Sequence, residues 1–262
     1  MGTCKYCGQD AGFFSHAHKE CEEKHEQGVV KLEDGINRYF TDAIRINDLT
    51  RLVAKLKRGN YVIDADIAAA TAKCIEEYTE NTHWPYNSHQ LDLVSEYVSR
   101  IGVPYDSLNS SGAFDRLCQK MIRGFLAEYF TGQKPLQRVL QICRQITSVM
   151  PLSQTQQTDT YLYMLNQAAE NYMKDGLLTD DEQRRIDEYI DALGLSLTNL
   201  PQKYQGTKIS RIEQNRILKQ LQRGILPQTA VTAPRKGMTK TSCHSPNDAI
   251  RWRRICMRRD RK

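Results

Sequence analysis

Three cysteines and a histidine near the N-terminus have the spacing of a metal site. Cys4 and Cys7 form a C-x2-C pair, and His18 and Cys21 follow as H-x2-C after ten intervening residues. Thiolates and imidazole are ligands that Zn²⁺ prefers, and four protein ligands leave no position for a catalytic water. The spacing therefore predicts a structural zinc ion held by these four side chains.

The residues between and after the cysteines predict how the ligands converge. His18 and Cys21 lie three residues apart, on one face of a helix that we expect to begin near Ser15. His16 and His25 are alternative candidates for the imidazole ligand. A redox-active C-x-x-C pair is the alternative chemistry, but it would not require the second pair of ligands. Zinc is therefore the preferred interpretation.

The N-terminal pattern resembles treble-clef and zinc-ribbon-like fingers, in which a knuckle and the first turn of a helix each supply two ligands. The resemblance covers about 30 residues and implies a small zinc finger over residues 1–30. Such fingers bind nucleic acid, bind protein, or stabilise a terminus with little core of its own. The acidic run Glu20, Glu22 and Glu23 disfavours a phosphate-binding surface. A protein-facing or purely structural finger is expected.

A long region with helical periodicity follows the finger. Apolar residues recur at intervals of three and four from Ile36 to about Leu200, and Gly or Pro separates the periodic segments. This pattern predicts an all-α helical bundle over residues 31–205, followed by a short amphipathic helix over residues 206–228. No stretch approaches the ~20 apolar residues of a transmembrane helix, so no membrane span is expected.

An internal similarity divides this region. The motif Glu-Tyr-Val-x2-Ile-Gly-Val around Tyr97 recurs as Glu-Tyr-Ile-x2-Leu-Gly-Leu around Tyr189, 92 residues later. Each copy has a glycine where a left-handed helix exit is favoured. Helix-capping pairs with the same offset precede the two motifs: Asn87 with Gln90, and Thr179 with Glu182. Two related helical halves are one interpretation, and the general likeness of capped amphipathic helices is the other.

The second copy resembles a known family. Residues 175–182 read Asp-Gly-x-Leu-Thr-x2-Glu and residues 193–196 read Leu-Gly-Leu-Ser, which is similar to the signature of TerB-like (tellurite-resistance) helical domains. The match covers about 25 residues. The resemblance implies a TerB-like helical domain and a role in bacterial stress response or defence.

Acidic residues in this segment form a second candidate cation site, made of Asp175, Asp180, Asp181 and Glu182. Their oxygens suit a hard divalent ion, but the spacing is not that of an EF-hand loop. Acids in the first turn of a helix are also stabilising without a ligand, so we expect a structural role. The sequence contains no P-loop, G-x-S-x-G or H-E-x-x-H motif. No enzymatic activity is expected, and a divalent-cation-dependent enzyme is a distant alternative.

The C-terminal residues differ in composition from the rest of the chain. Residues 233–262 contain ten Lys or Arg and two acids, a net charge of +8, whereas the preceding residues sum to −2. The region 229–262 is expected to be a disordered basic tail that binds nucleic acid or an anionic membrane surface. The candidate nucleic-acid-binding residues are Arg251, Arg253, Arg254, Arg258 and Arg259. The alternative interpretation of this composition is an aberrant or truncated terminus.

The cysteines in the periodic region indicate a reducing compartment. Cys74, Cys118 and Cys143 occupy apolar helical positions, as is typical of buried free thiols in cytosolic proteins. The first residues carry no apolar segment of a secretory signal. The sequence therefore predicts a non-enzymatic, cytoplasmic zinc-containing scaffold or adaptor that binds protein partners. The main alternative is a nucleic-acid-binding protein that uses the finger together with the Arg-rich tail.

Overall fold

The computed structural model describes residues 2–12, 15–82, 88–174 and 178–212. These residues form a short antiparallel hairpin, nine α-helices and one 3-10 turn, which confirms the all-α prediction. The hairpin consists of β1 (Gly2–Thr3) and β2 (Asp10–Gly12). The helices are α1 (Lys19–Phe40), α2 (Ile46–Gly59), α3 (Asp64–Asn81), α4 (Ser88–Arg100), α5 (Tyr105–Leu108), α6 (Ala113–Phe130), α7 (Leu136–Val149), α8 (Gln154–Tyr172) and α9 (Asp180–Leu193), and the 3-10 turn is Gln202–Tyr204.

The longer helices pack in two rows. In the first row α1 packs against α3, α3 against α6, and α6 against α8. In the second row α2 packs against α4 and α4 against α7, while α2 also contacts α1 and α7 contacts α6. The apolar stripe of each helix faces the space between the rows, and most of the buried apolar side chains form one core there. Residues 2–212 belong to a single compact unit.

The first four helices form one structural half, in which a tyrosine near the end of α1 contacts α4. The hydroxyl of Tyr39 donates hydrogen bonds to the carbonyl oxygen of Leu93 (2.8 Å) and to Oε2 of Glu96 (3.2 Å), both on α4. The neighbouring Phe40 places its ring 5.1 Å from the ring of Tyr97. These contacts join the first and the last helix of the half.

The helices α6 to α9 repeat this arrangement. The hydroxyl of Tyr129 donates to the carbonyl oxygen of Arg185 (2.8 Å) and to Oε2 of Glu188 (3.0 Å) on α9. The ring of Phe130 lies 4.8 Å from the ring of Tyr189. The interpretation as two related halves is therefore confirmed, and the repeat extends well beyond the short motif visible in the sequence.

The predicted cap at Thr179 and the predicted glycine exits agree with the structure. Thr179 is the N-cap of α9, and its hydroxyl accepts a hydrogen bond from the backbone N–H of Glu182. Gly102 and Gly194 adopt left-handed φ angles of +79° and +59°. The capping prediction for Asn87 lies outside the described residues, as does most of the predicted helix over 206–228 and all of the tail.

The single cysteines of the bundle are buried, as predicted. Burial raises the pKa of Cys74 and of Cys143 to about 12, and it also raises the pKa of Cys118, so all three are neutral thiols at physiological pH. Among the described helices, none is both long enough and apolar enough to cross a lipid bilayer.

Candidate metal centre

The structure brings the four predicted ligands together. One donor atom from each of Cys4, Cys7, His18 and Cys21 lies within 4.8 Å of the other three. Nδ1 of His18 is 3.4 Å from Sγ of Cys7 and 3.8 Å from Sγ of Cys21. A set of three thiols and one imidazole at these separations can hold one metal ion. In the described part of the chain, no other group of three or more Cys, His, Asp or Glu side chains converges in this way.

Cys4 and Cys7 lie in the turn between β1 and β2, which forms the knuckle of the finger. The backbone N–H of Cys4 donates to the carbonyl oxygen of Gln9 (2.7 Å), and the N–H of Gly8 donates back to the carbonyl oxygen of Cys4 (2.9 Å). Gly8 has a φ of +73°, a left-handed angle that glycine adopts without steric cost. This turn directs the side chains of Cys4 and Cys7 to the same side of the hairpin.

The other two ligands flank the start of α1, which begins later than predicted. The expectation of a helix from Ser15 is wrong, because the Ser15 hydroxyl bonds to the backbone of Ala17 and holds a bend there. His18 is the N-cap of α1 in an extended conformation, and Cys21 lies in the first turn. The N–H of Cys21 donates to the carbonyl oxygen of His18 (3.0 Å), which keeps both side chains on one side of the helix start.

The ring orientation of His18 is fixed from the hairpin. Its Nε2 lies 2.9 Å from the backbone carbonyl oxygen of Asp10, the first residue of β2. Nε2 therefore carries the proton in the neutral ring, and the lone pair of Nδ1 points toward the thiols. The same contact is the main reason that the pKa of His18 is raised.

The environment of Cys4 favours a thiolate. The residue is 1% exposed, and burial alone would raise the pKa of its thiol. Backbone N–H groups of Cys7, His18 and Tyr6 outweigh that effect and lower the pKa of Cys4 to about 6. Deprotonated sulfur is the form that binds metal ions. The net shift of Cys21 is opposite, because burial is the largest influence there and raises the pKa of its thiol.

The two alternative histidines lie outside this cluster. His16 is exposed, and its carbonyl oxygen accepts a hydrogen bond from the N–H of Lys5 (2.9 Å). His25 bonds through Nε2 to Oδ2 of Asp66 (2.9 Å) at the start of α3, and its Nδ1 lies 3.4 Å from the hydroxyl of Tyr6. His18 is therefore the histidine of the metal centre.

The repeat explains what His25 does. In the second half, Asp115 and Gln156 occupy the places of His25 and Asp66, 90 residues further along the chain. The amide of Gln156 donates to Oδ2 of Asp115 (2.6 Å), so both halves join their first helix to the start of their third. The contact between His25 and Asp66 is thus part of the bundle framework, and it also holds the finger against the bundle.

Comparison of the chain with family models, with curated proteins and with solved structures gives no significant match. The resemblances to treble-clef fingers and to TerB-like domains remain predictions from the sequence. The metal centre and the bundle must therefore be interpreted from their own geometry.

No sequence pattern indicated Tyr61, which approaches the centre from the bundle. The Cys21 thiol is the main reason that the pKa of Tyr61 is raised, so the Tyr61 side chain belongs to the surroundings of this ligand. Its ring also lies 5.9 Å from the ring of Tyr6 on the knuckle. Tyr61 has a φ of +57°, an angle that residues with side chains rarely adopt. Only the folded chain places this tyrosine, 40 residues beyond Cys21, beside the finger.

The second predicted cation site has structural contacts where it is described. Glu182 reaches back to the N–H of Thr179 (2.9 Å), which completes a capping box. Asp181 forms an ion pair with Arg184 at 2.6 Å. Asp175 lies outside the described residues, and so do the five candidate arginines of the tail. Glu182 thus takes part in capping and Asp181 in an ion pair, while a structural role for the whole cluster stays a prediction.

Proposed function

We propose that this protein is a non-enzymatic helical scaffold that binds protein partners and carries a structural zinc ion. The observation that carries the proposal is the closed set of four donors formed by Cys4, Cys7, His18 and Cys21. Four protein ligands complete a tetrahedral zinc shell, whereas a catalytic zinc ion keeps one position for water or substrate. An ion held in this way stabilises the finger and performs no reaction.

Zinc is the metal that best suits this set. Soft thiolates and a neutral imidazole favour Zn²⁺ over Mg²⁺ or Ca²⁺, which prefer oxygen ligands. The contact between His18 and the carbonyl of Asp10 is the kind of second-layer hydrogen bond that orients a zinc-bound histidine. A bound ion would join the knuckle to the start of α1 across a segment with little apolar core.

A cavity on the second half supports binding rather than catalysis. A cavity of about 680 Å³ is lined by residues of α6, α8 and the 3-10 turn, among them Gln119, Gln154 and Gln156. Its two charged lining residues, Asp159 and Lys203, form an ion pair with each other. The surface of the cavity is mostly apolar, which suits binding, and its amide and hydroxyl groups are poor nucleophiles.

The likeness to TerB-like domains supports a role in the bacterial cytoplasm, in stress response or defence. The second candidate function is nucleic-acid binding, which the charge of +8 on residues 233–262 favours. The acidic residues at the start of α1 oppose that function for the finger, since they would face the phosphate groups.

Affinity capture from cells would separate the two functions. The full chain and a chain truncated after Thr232 would be compared, each with and without nuclease treatment of the lysate. We expect the same protein partner from both chains, with recovery insensitive to nuclease. Recovery of partners that depends on nucleic acid and on residues 233–262 would instead establish the nucleic-acid function and overturn the scaffold proposal.

A further inference from the structure

Tyr6 connects the metal centre to the bundle. It lies between the ligands Cys4 and Cys7 in the sequence, on the turn that forms the knuckle. Its ring lies 4.8 Å from the ring of His25 on α1 and 5.9 Å from the ring of Tyr61, and its hydroxyl is 3.4 Å from Nδ1 of His25. A metal ion bound to both cysteines would fix this turn, and with it the position of the Tyr6 ring.

His25 continues the connection into the bundle. Its Nε2 is 2.9 Å from Oδ2 of Asp66, and the side chains of these two residues are only 18% and 20% exposed. The same carboxylate oxygen accepts a hydrogen bond from the backbone N–H of Ile63 (2.9 Å), which caps the start of α3. A chain of contacts therefore runs from the metal ligands through Tyr6 and His25 to the first turn of α3.

The same residues form a crevice between the finger and the bundle. Its volume is about 530 Å³, and its lining includes Lys5 and Tyr6 from the finger and His25, Tyr61 and Asp66 from the bundle. We call this space the finger crevice. Because the ring of Tyr6 forms part of its wall, the shape of the crevice depends on where the knuckle holds that ring.

The second half shows what the bundle requires of this contact. There α5, rather than a finger, precedes the first helix, and Gln156 donates from its amide to Oδ2 of Asp115. The side-chain oxygen of Gln156 also accepts a hydrogen bond from the N–H of Ser153 (2.9 Å) at the start of α8. Joining the first helix to the third and capping the third helix thus need no imidazole. The ring of His25 is the additional feature of the first half, and it stacks on Tyr6.

We propose that metal occupancy of the finger is linked to the order of the finger crevice through the stacked rings of Tyr6 and His25. When zinc is bound, the ligands hold the knuckle, the knuckle holds Tyr6 against His25, and His25 supports the start of α3. When zinc is removed, the knuckle no longer positions Tyr6, so one wall of the crevice is lost and the start of α3 opens more readily. His25 is thus a positioning residue of the metal centre. The inference rests on the proposed zinc ion and adds that this ion controls a surface of the bundle.

Hydrogen–deuterium exchange of the full chain, measured by mass spectrometry with and without a zinc chelator, tests this linkage. Residues 60–67 report on the start of α3, and residues 150–157 are the matched segment of the second half. Zinc removal should speed exchange in residues 60–67 by about tenfold, the scale of one aromatic stacking contact, and leave residues 150–157 unchanged. Equal exchange of residues 60–67 in both conditions, or the same change in both segments, would overturn the inference.

The variant H25D/D66Q tests the effect in the opposite direction. It installs the side chains of the second half, so the contact between α1 and α3 and the cap of α3 are kept while the ring that stacks on Tyr6 is removed. With a neutral His25 in the parent, the net charge is also kept. Because linkage is reciprocal, the zinc affinity of this variant should fall by about tenfold, and zinc removal should no longer change exchange in residues 60–67.

The matched control is D115H/Q156D, which makes the reverse exchange in the second half and should leave zinc affinity unchanged. Tyr6→Phe keeps the stacked ring and should keep the zinc-dependent exchange. Unchanged zinc affinity in H25D/D66Q, or an equal loss in D115H/Q156D, would overturn the inference. If H25D/D66Q does not fold, the exchange of the parent decides. A parent that holds zinc but shows no linkage would refute this inference alone, whereas a parent that holds no zinc would refute the proposed zinc ion as well.

Discussion

Nε2 of His18 lies 2.9 Å from the backbone carbonyl oxygen of Asp10, which joins a metal ligand on one element to the backbone of another. The contact comes from the backbone, so the side chain of Asp10 is not needed for it. The hairpin supplies the acceptor that orients the histidine ring. The metal centre thus depends on the hairpin as well as on its four ligands.

The first prediction concerns metal content. The purified full chain should contain about one zinc ion, and Cys7→Ser should lose most of it, because a hydroxyl is a poor replacement for a thiolate ligand. Cys74→Ser is the matched control, since Cys74 is a buried thiol outside the centre. Elemental analysis measures both. A zinc content well below one in the parent, or an equal loss in both variants, would contradict the assignment.

The second prediction concerns Tyr61. Removing its hydroxyl with Tyr61→Phe should weaken zinc binding by about tenfold, because polar groups beside a metal ligand tune that ligand, here Cys21. Competition with a chromophoric chelator measures the affinity. Tyr6→Phe is the control, since the Tyr6 hydroxyl contacts His25 rather than a ligand. Unchanged affinity in Tyr61→Phe, or an equal loss in both variants, would contradict a specific role for the Tyr61 hydroxyl.

The third prediction concerns the close approach of α1 to the loop after α2. A Cβ on Gly28 would lie 2.6 Å from Cβ of Asn60 and 3.0 Å from Cγ2 of Val62. Gly28→Ala should lower the free energy of unfolding, because a steric conflict of about 1–3 kcal/mol exceeds the gain in helix propensity of about 0.5–1 kcal/mol. Gly59→Ala meets no atom within 4 Å and should leave stability unchanged or slightly raised. Urea denaturation compares the two variants, and a stabilised Gly28→Ala protein would contradict the packing described.

The fourth prediction concerns the buried hydroxyl of Tyr97. Thr71 donates to the carbonyl oxygen of Ile67 (2.6 Å), so its Oγ1 is the acceptor for the Tyr97 hydroxyl at 2.5 Å. Both side chains are fully buried. Thr71→Val should cost about 1–3 kcal/mol, because it leaves the Tyr97 hydroxyl without a partner.

Adding Tyr97→Phe to the Thr71→Val variant should recover part of that loss, since the unpaired hydroxyl is then removed as well. The second half already shows another solution, in which Tyr189 donates directly to the carbonyl oxygen of Tyr161 (3.1 Å). Chemical denaturation of the single and double variants tests the pair. A double variant less stable than Thr71→Val would argue against an unsatisfied hydroxyl as the cause.

The fifth prediction concerns the start of α9. Thr179→Ala should cost about 1 kcal/mol through loss of the cap. Replacing both Asp180 and Asp181 by Asn should cost less at each position, about 0.3–1 kcal/mol for each charge, because only interactions with the helix dipole and exposed pairs are lost. Ca²⁺ or Mg²⁺ should not raise the melting temperature of the parent. A saturable rise that the double Asn variant abolishes would establish a cation site here.

The sequence by itself determined the features that depend on neighbouring residues. The ligand spacing from Cys4 to Cys21 identified the metal centre, because a knuckle and a helix start bring ligands together locally. Periodic apolar residues identified the bundle, and the capping box at Thr179 identified the start of α9. In each case the physical cause acts over a few residues, so it is visible as a pattern.

Contacts between distant segments were decided only by the tertiary structure. Nothing near Tyr61 in the sequence indicates that its ring lies beside Tyr6 of the finger. The late start of α1 is an exception with a local cause, because the Ser15 hydroxyl bonds to the backbone of Ala17 and competes with the helix. The full extent of the repeat was also not visible in the sequence, because the two halves differ in length. The two halves are offset by 90 residues at α2 and α7 but by 92 at α4 and α9, because the intervening segment is two residues longer in the second half. An ungapped comparison therefore finds only one short motif, whereas packing against a shared core aligns every helix of the two halves despite the difference in length.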